Sequence, residues 1–468
     1  MALGRRDQEQ QGSFWIAADE LPRSKGHVFY GKLNELLREA GFDAFVESLC
    51  EPYYHGTMGR PGIPPGVYFR MLLVGYFEGL GSQRGIAWRC ADSLSLREFL
   101  GVPLAEETPD HSSLTRVRDR LPLSVHVAVF QFVLRLADEH GLLKGKTVGV
   151  DATTLEADAA MKSIVRRDTG EDWQEYVRRL MQEAGQIEEG EEPTAEEIAR
   201  FDRKRKNKKV SNQEWQSETD PDSRITKMKD GRTHLAYKAE HVVDLDTELI
   251  LAAEVYHADA ADVDTIGSSL NQAQDNLIQA ESDAGIEEAV ADKGYAKNET
   301  LAELEFTEGL RTYIVEPRYA QRRNWKNKPA EERRAVLNNR RRVKGKRGRA
   351  LQRQRSEKVE RSFAHVCETG GSRRTWLCGI EKVSKRYLIS AMARNLGLVL
   401  RHLFGIGTPR SLQGEGDLAD NLQLALLNIL TTLGRLPTPT NRTPPQQPTA
   451  HQPPALAACN HQNPTPST

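Results

Sequence analysis

The sequence has few cysteines and no long apolar run. Its five cysteines, among 468 residues, are scattered, and no two of them form a Cys-x-x-Cys pair. An odd, dispersed set argues against a disulfide framework and against a structural zinc site. The longest apolar runs, such as residues 72–77, fall far short of the roughly 20 residues of a membrane span. The first residues show no apolar stretch typical of a signal peptide, and we therefore expect a cytoplasmic protein with no membrane partner.

The net charge of the chain is close to zero, but the charged residues are unevenly distributed along it. The chain has 65 Lys and Arg against 66 Asp and Glu, which gives −1. Residues 318–355 hold 16 basic and 2 acidic side chains, a net +14, which leaves −15 for the remainder. Such segregation indicates a surface for a polyanion such as nucleic acid, and a solvated linker is the alternative.

Length and pattern predict several domains. Apolar residues at helical spacing, as in Val67, Met71, Val74 and Phe77 after a Pro-Pro pair, favour an all-helical domain. The predicted division is a tail at 1–26, a helical domain at 27–140, an α/β core at 146–404, a helical region at 405–436 and a tail at 437–468. The last segment is rich in Pro, Thr, Gln and Asn, and this composition predicts disorder.

The 146–404 segment alternates strand and helix patterns. Short β-type runs at 147–151 and 288–292 each end in an aspartate, and a hairpin is predicted from 235–243 and 249–255. The polar stretch 156–232 is predicted to be an insertion, helical or partly disordered. A strand at 311–315, the basic segment 318–355 and a helix at 356–368 complete the order. The fold class is therefore mixed α/β.

Three carboxylates in this order point to metal chemistry. Asp151 and Asp292 each follow an apolar run, and Glu360 lies on the late predicted helix. If the two strands are neighbours, their ends bring the aspartates together. Three carboxylates form the hard oxygen donor set that Mg²⁺ or Mn²⁺ prefers, and paired ions of this type support phosphodiester cleavage.

Each signal has a plainer alternative when taken alone. An aspartate after a strand is commonly a turn or N-cap residue, and a helical glutamate is usually a solvated surface charge. Helical periodicity places Val359, Phe363 and Val366 on the face towards the sheet, with Glu360 at its border and Glu357 facing away. Tyr295 and Trp376 are candidates for stacking on unpaired bases, although packing in the core is the interpretation that we favour for both.

Three blocks of the sequence resemble the acidic blocks of DDE transposases from bacterial insertion sequences: GVDATTLEA at 149–157, ADKGY at 291–295 and EKVERSFAHVCETGGSRRTWLCG at 357–379. The helical N-terminal part, with TPDHSSLTRVRDRL at 108–121, is similar to the helical domain that precedes the catalytic core in one branch of that family. The resemblance covers roughly residues 27–404 and implies an RNase H-like mixed-sheet core with a divalent metal, Mg²⁺ or Mn²⁺. Asp151, Asp292 and Glu360 fall on its acidic triad, as catalytic residues and metal ligands.

The resemblance also implies partners and a reaction. The partners are double-stranded DNA, as terminal inverted repeats and as target, and a second copy of the chain in the DNA complex. The expected reaction is cleavage at the element ends and strand transfer, at the bacterial nucleoid. A nuclease of the same fold without strand transfer, and a catalytically inactive DNA-binding derivative, are the alternatives.

Related transposases often place a Tyr and an Arg before the glutamate and a Lys after it, where this chain has Arg353, Ser356 and Cys367. Other basic residues are therefore expected to contact phosphates. The predicted DNA-binding residues are Arg340, Arg341, Arg342, Lys344, Lys346, Arg347, Arg353, Arg355, Lys358 and Arg361.

Overall fold

The computed structural model describes residues 26–55, 62–188, 190–206, 210–228, 231–318 and 324–412. The predictions for the tails at 1–26 and 437–468 and for most of the region 405–436 lie outside these residues. All the described residues fall within one compact unit, Met1–Asn421.

The N-terminal part of this unit is helical, as predicted. Proline and small polar residues begin its helices: α3 starts at Pro65, and the side chains of Ser82, Ser93 and Asp110 each accept a first-turn N–H of α4, α5 and α6. The helices are α1 (Val28–Glu39), α2 (Phe42–Cys50), α3 (Pro65–Phe77), α4 (Gln83–Ala91), α5 (Leu94–Leu100), α6 (His111–Arg120) and α7 (Leu123–Glu139).

A mixed sheet forms the second part. The strands are β1 (Thr147–Glu156), β2 (Ile164–Arg166), β3 (Trp215–Ser217), β4 (Arg224–Lys227), β5 (Thr233–Asp244), β6 (Ile250–His257), β7 (Glu288–Ala291) and β8 (Arg311–Ile314). The main sheet has the order β4-β5-β1-β7-β8, and β6 also pairs with β5. β5 is antiparallel to β1 and β6, whereas β1, β7 and β8 are parallel. The RNase H-like α/β class and the β5–β6 hairpin are therefore confirmed.

The insertion 156–232 is more ordered than its composition suggests. It contains α8 (Trp173–Glu183) and α9 (Ala195–Lys204), whose start is fixed by capping boxes at Asp172 and Thr194. The prediction of a helical or partly disordered segment missed its strands: β2 pairs with β3, and β4 joins the main sheet beside β5. These strands have three or four residues each, and they lie in a polar stretch without the continuous apolar run that marks β7, which is equally short.

Five helices complete the described part: α10 (Asp262–Gln279), α11 (Asn298–Ala302), α12 (Ala330–Lys344), α13 (Lys346–Phe363) and α14 (Ile380–Phe404). The expectation of a helix beginning near 356 was wrong, because α13 begins ten residues earlier and continues as a π-helical turn to Thr369. Most of the basic segment is therefore helix, and the linker alternative fails for the described residues. Three of its apolar residues, Ala335, Val336 and Leu351, are buried.

The two faces of the sheet carry different helices. Alternate residues of β5 point to opposite faces: His241 bonds Ser362 of α13 and Tyr387 of α14, both at 2.8 Å, whereas Glu240 accepts from Thr265 of α10 at 2.8 Å.

In the part of the chain that the structure describes, no single helix is long and apolar enough to cross a membrane. One pair, α6 with α7, passes the same length and composition test only together, and the pair is bent by 98°.

Candidate active site

Asp151 lies in the middle of β1 rather than at its end. The strand runs on to Glu156 because its antiparallel partner β5 continues alongside it, pairing Asp151 with His241 and Glu156 with Ala236. Pairing with β7 stops earlier, at Gly149 opposite Val290. The predicted end of the strand at Asp151 was therefore wrong for the pairing of β1 with β5, which continues to Glu156. It was close to correct for the pairing of β1 with β7, which stops at Gly149.

Asp292 follows β7 directly and is the N-cap of a short 3₁₀ turn, Lys293–Tyr295. Its Oδ1 accepts the N–H of Gly294 at 2.7 Å. Continuing the parallel register by two residues places Asp292 level with Asp151, on strands about 4.8 Å apart. The structure thus brings together the two aspartates that the sequence singled out.

Glycine is required at position 294 by close approach. A Cβ there would lie 2.6 Å from Asp262 Oδ2 and 3.0 Å from Asp292 Oδ1. Asp262, at the start of α10, therefore flanks the same turn. Its Oδ1 is 2.7 Å from the ammonium of Lys238, so this carboxylate is already paired.

Burial raises the pKa of Asp151, and the charge of Asp292 adds to this increase. Arg355 of α13 opposes it: its Nη1 donates to Asp151 Oδ2 at 2.7 Å. Arg355 is itself only 9% exposed, and its Nε has no hydrogen-bond partner among the described residues. Arg355, which the sequence grouped with the phosphate-binding residues, is thus placed against a catalytic candidate.

The helix register predicted for α13 is confirmed. Val359, Phe363 and Val366 are 0%, 7% and 0% exposed, and a Cβ on Gly149 of β1 would come within 2.8 Å of Val359 Cγ2. Glu357 is 65% exposed at its side chain and pairs with Arg361 at 2.5 Å. Glu360 is exposed and accepts from Ser356 Oγ at 3.1 Å.

The donor set fits a divalent cation through the aspartate pair. Asp151 Oδ1 accepts the N–H of Ala152 at 2.8 Å, and Asp292 presents a second hard oxygen ligand beside it. A bound cation would offset the repulsion that raises the pKa of Asp151. Among the described residues, no three His, Cys, Asp or Glu side chains converge closely enough to hold one ion, so Glu360 is not gathered with the pair in this arrangement.

The ten predicted DNA-binding residues separate into three groups. Five form ion pairs within the fold: Arg340 with Glu316, Arg342 with Glu305, Arg347 with Glu288, Arg355 with Asp151, and Arg361 with Glu248 and Glu357. Lys358 donates to the carbonyl of Leu245 at 2.5 Å. The other four are exposed and have no ion pair with any described residue; they are Arg341, Lys344, Lys346 and Arg353, and we call them the open basic residues.

A buried charged cluster beneath the site was missed by sequence reasoning. Lys238 Nζ lies 3.3 Å from Glu240 Oε2, and that oxygen also accepts from Thr265 Oγ1 at 2.8 Å and from the Tyr295 hydroxyl at 2.9 Å. We call Lys238, Glu240, Asp262, Thr265 and Tyr295 the closed cluster. The available signal was the pair of charges inside the apolar run HLAYKAEHVVD at 234–244.

The two stacking candidates have different outcomes. Tyr295 is 1% exposed and belongs to the closed cluster, as the core interpretation expected. Trp376 is 51% exposed, so packing in the core does not account for it.

Comparison with known families gives two matches. A transposase domain model (DUF772) matches residues 18–120, and a transposase DDE domain model matches residues 199–396. The second span contains Asp292 and Glu360, and Asp151 precedes it. No curated protein and no solved structure matches the sequence.

Proposed function

Since the chain belongs to the DDE-type transposases of insertion sequences, we propose that it cleaves DNA at the inverted repeats of its element and joins the freed strand to target DNA. Asp151, Asp292 and Glu360 are the proposed catalytic residues and ligands of Mg²⁺ or Mn²⁺. The observation that carries the proposal is the aspartate pair formed by Asp151 on β1 and Asp292 directly after the adjacent parallel strand β7. The family matches support transposition chemistry in general, and the assignment of residues is our own.

Asp151 and Asp292 would hold the ion, which supplies an activated water and stabilises the leaving oxygen in phosphodiester cleavage. Arg355 orients the Asp151 carboxylate through the 2.7 Å contact and limits the cost of burying its charge. Glu360 completes the ligand set after a rotation of its side chain away from Ser356. In the second step the freed 3′-hydroxyl would attack a target phosphodiester held at the same carboxylates, so that one new phosphodiester bond forms and the bond to the target strand's own 3′-oxygen breaks, with that oxygen as the leaving group.

The open basic residues hold the DNA backbone in this proposal. They project from α12 and the N-terminal half of α13, and α13 also carries Arg355 and Glu360. A strand bound along these helices is thereby led towards the aspartate pair. The helical region recognises the element ends, two copies of the chain act on paired ends, and the reaction takes place at the bacterial nucleoid.

The test uses a duplex that carries the inverted repeat flanking the gene of this protein. The parent should cut and join this duplex only with Mg²⁺ or Mn²⁺. Asp292→Asn and Asp151→Asn should lose cleavage and retain binding, because removing negative charge does not weaken phosphate contacts. Asp264→Asn is the matched control, since it removes an exposed charge from the nearby first turn of α10.

Undiminished cleavage by Asp151→Asn or Asp292→Asn would refute the site. Metal-dependent cutting without joined products would identify a nuclease of the same fold. Binding without cutting by the parent would identify an inactive derivative.

A further inference from the structure

A cavity of about 340 Å³ lies between the helical region and the sheet region. Its apolar lining includes Leu72, Leu80, Ile86, Leu377 and Ile389, and aromatic rings are supplied by Tyr68, Tyr76 and Trp376. The volume is in the range of small-ligand sites, about 300–1,000 Å³. The cavity is therefore large enough for one ring-bearing ligand of nucleotide size.

The charged lining of this cavity has one sign. Arg84, Arg118, Lys385 and Arg386 line it, and no Asp or Glu is among its lining residues. Arg118 contacts Asp119 at 3.4 Å and Lys385 contacts Glu381 at 2.7 Å, both outside the lining. Arg386 donates to the carbonyl of Gly81 at 2.5 Å and has no carboxylate partner among the described residues.

The electrostatics favour an anion in the cavity. Burial and the neighbouring charge of Arg118 lower the pKa of Arg386, because its positive charge is poorly compensated. The N-terminus of α4, at Ser82, Gln83 and Arg84, also lines the cavity and adds the positive end of a helix dipole. A phosphate group would neutralise the convergent cations.

Trp376 adds a stacking surface at the same place. Its indole is 51% exposed, and the guanidinium of Arg374 lies 4.8 Å from its ring centroid. A Cβ on Gly81 would lie 3.0 Å from Nε1 of Trp376. Because glycine has no side chain, the indole can pack directly against the backbone at this position of the cavity lining. An aromatic ring beside Arg84 and Arg386, neither of which has a carboxylate partner among the described residues, suits a base joined to a phosphate.

The cavity is connected to the active site by β1. The backbone of Glu156, the last residue of β1, bonds Arg373 and Thr375 at 2.9 Å each, which places Trp376 just beyond the strand. Glu156 lies five positions after Asp151, a span of roughly 17 Å in a strand. A DNA strand with a phosphate at Asp151 spans this distance in about five nucleotides or fewer, since about 3.4 Å per nucleotide is the rise in duplex DNA and an unpaired strand can extend further.

We propose that this cavity binds one unpaired nucleotide of a DNA strand, with its base on Trp376 and its phosphate at Arg84 and Arg386. The inference rests on the proposed function only in taking DNA as the ligand. The site is separate from the carboxylates, and it anchors a strand whose cut position lies at Asp151.

The test measures fluorescence anisotropy of the full chain with three probes. They are an oligothymidylate of about eight nucleotides, its abasic sugar-phosphate analogue of equal length, and a duplex. Trp376→Ala should weaken oligothymidylate binding by roughly 5- to 100-fold, since base stacking contributes about 1–3 kcal/mol. Binding of the abasic strand and the duplex should change by less than about twofold, because neither presents an unstacked base.

Matched variants separate stacking from general damage. Trp376→Phe should restore most of the oligothymidylate affinity because it keeps an aromatic face. Trp88→Ala should change nothing, although Trp88 is 77% exposed on α4, because it lies outside the cavity lining. Arg84→Ala should lower the salt slope for the oligothymidylate by about one unit, and Arg89→Ala, which removes a partner of Glu78, should not.

An unchanged oligothymidylate affinity in Trp376→Ala would overturn the proposal, as would an equal loss on all three probes. Free thymidine 5′-monophosphate should compete weakly, and competition as strong as that of the strand would overturn the assignment to a DNA strand. These outcomes are distinct from failure of the proposed function, in which the parent would neither cut nor join the inverted-repeat duplex whatever its affinity for the oligothymidylate.

Discussion

The two faces of the central sheet carry buried charges in different ways. On the α10 face, Lys238 and Glu240 are 4% and 0% exposed, and their charged groups contact Asp262, Thr265 and Tyr295. On the α13 face, the Asp151 side chain is 25% exposed and has Arg355 as its single ion-pair partner among the described residues. In the closed cluster the side chains of Lys238 and Glu240 are almost fully buried and contact each other, whereas the α13 face leaves the carboxylate oxygens of a partly exposed aspartate for another ligand. We therefore expect the α10 face to contribute mainly to stability and the α13 face to carry the proposed chemistry.

The largest effect on DNA cleavage is expected from a change on the α13 face. Glu360→Gln should reduce strand cleavage by orders of magnitude, because it removes the proposed third metal ligand, while Glu357→Gln should stay within a few-fold of the parent. The pair is matched, since both residues lie on α13 and both are exposed. A side-by-side cleavage assay with Mn²⁺ checks it. If Glu357→Gln is the inactive variant, Glu360 is not the third metal ligand and the assignment is wrong.

The closed cluster should dominate stability. Lys238→Met leaves Glu240 and Asp262 without their shared cation, and breaking a buried pair in this way costs about 3–5 kcal/mol. Denaturant unfolding measures the loss. Lys297→Met, which removes an exposed partner of Glu299, should leave the midpoint unchanged. A stable Lys238→Met protein that no longer cleaves DNA would reverse the comparison, because the cluster would then act in catalysis.

The open basic residues should contribute to DNA affinity and the paired ones should not. Arg341→Ala should lower the slope of log affinity against log salt by about 0.9, the value for one phosphate contact. Arg340→Ala should leave the slope unchanged, because Arg340 is held by Glu316 at 2.8 Å. Titrations of a duplex at several salt concentrations provide the measurement. Equal slopes for both variants would mean that the ion pairs do not decide which residues bind DNA.

The smallest effect concerns Glu254, opposite Glu240 on β6. Burial, with the charge of Glu240, raises the pKa of Glu254. The folded state then binds more protons than the unfolded state between the ordinary and the raised pKa, so stability falls as pH rises through that window. Glu254→Gln removes this penalty, and its unfolding free energy should exceed that of the parent above the window and match it below. A difference that shrinks with rising pH would contradict the sign.

Periodicity was sufficient where a local pattern reports a local structure. The β5–β6 hairpin, β7 and β8 lie within a few residues of their predicted positions, because short runs of mainly apolar residues between polar ones indicate strands that are buried on both faces. The apolar face of α13 was predicted for the same reason. The order of Asp151, Asp292 and Glu360 along the chain was likewise readable, and their roles stay a prediction.

Contacts between residues far apart in the chain could not be predicted from the sequence. Arg355 was grouped with phosphate-binding residues, but it meets Asp151, 204 positions away. Arg340 and Arg342 are paired with Glu316 and Glu305 of preceding segments, so the net charge of the basic segment overstated the number of free cations. Trp376 was expected in the core and stands half-exposed beside a cavity.

The sequence by itself determined which residues are apolar at helical or alternating spacing, and thereby the α/β class and the elements that carry the carboxylates. Tertiary structure alone decided where β1 ends, because strand length depends on the partner that pairs with it, and β5 extends the pairing to Glu156. It also decided which charges are compensated. Ion pairing depends on distances of a few ångströms between residues far apart in the chain, and no local pattern contains those distances.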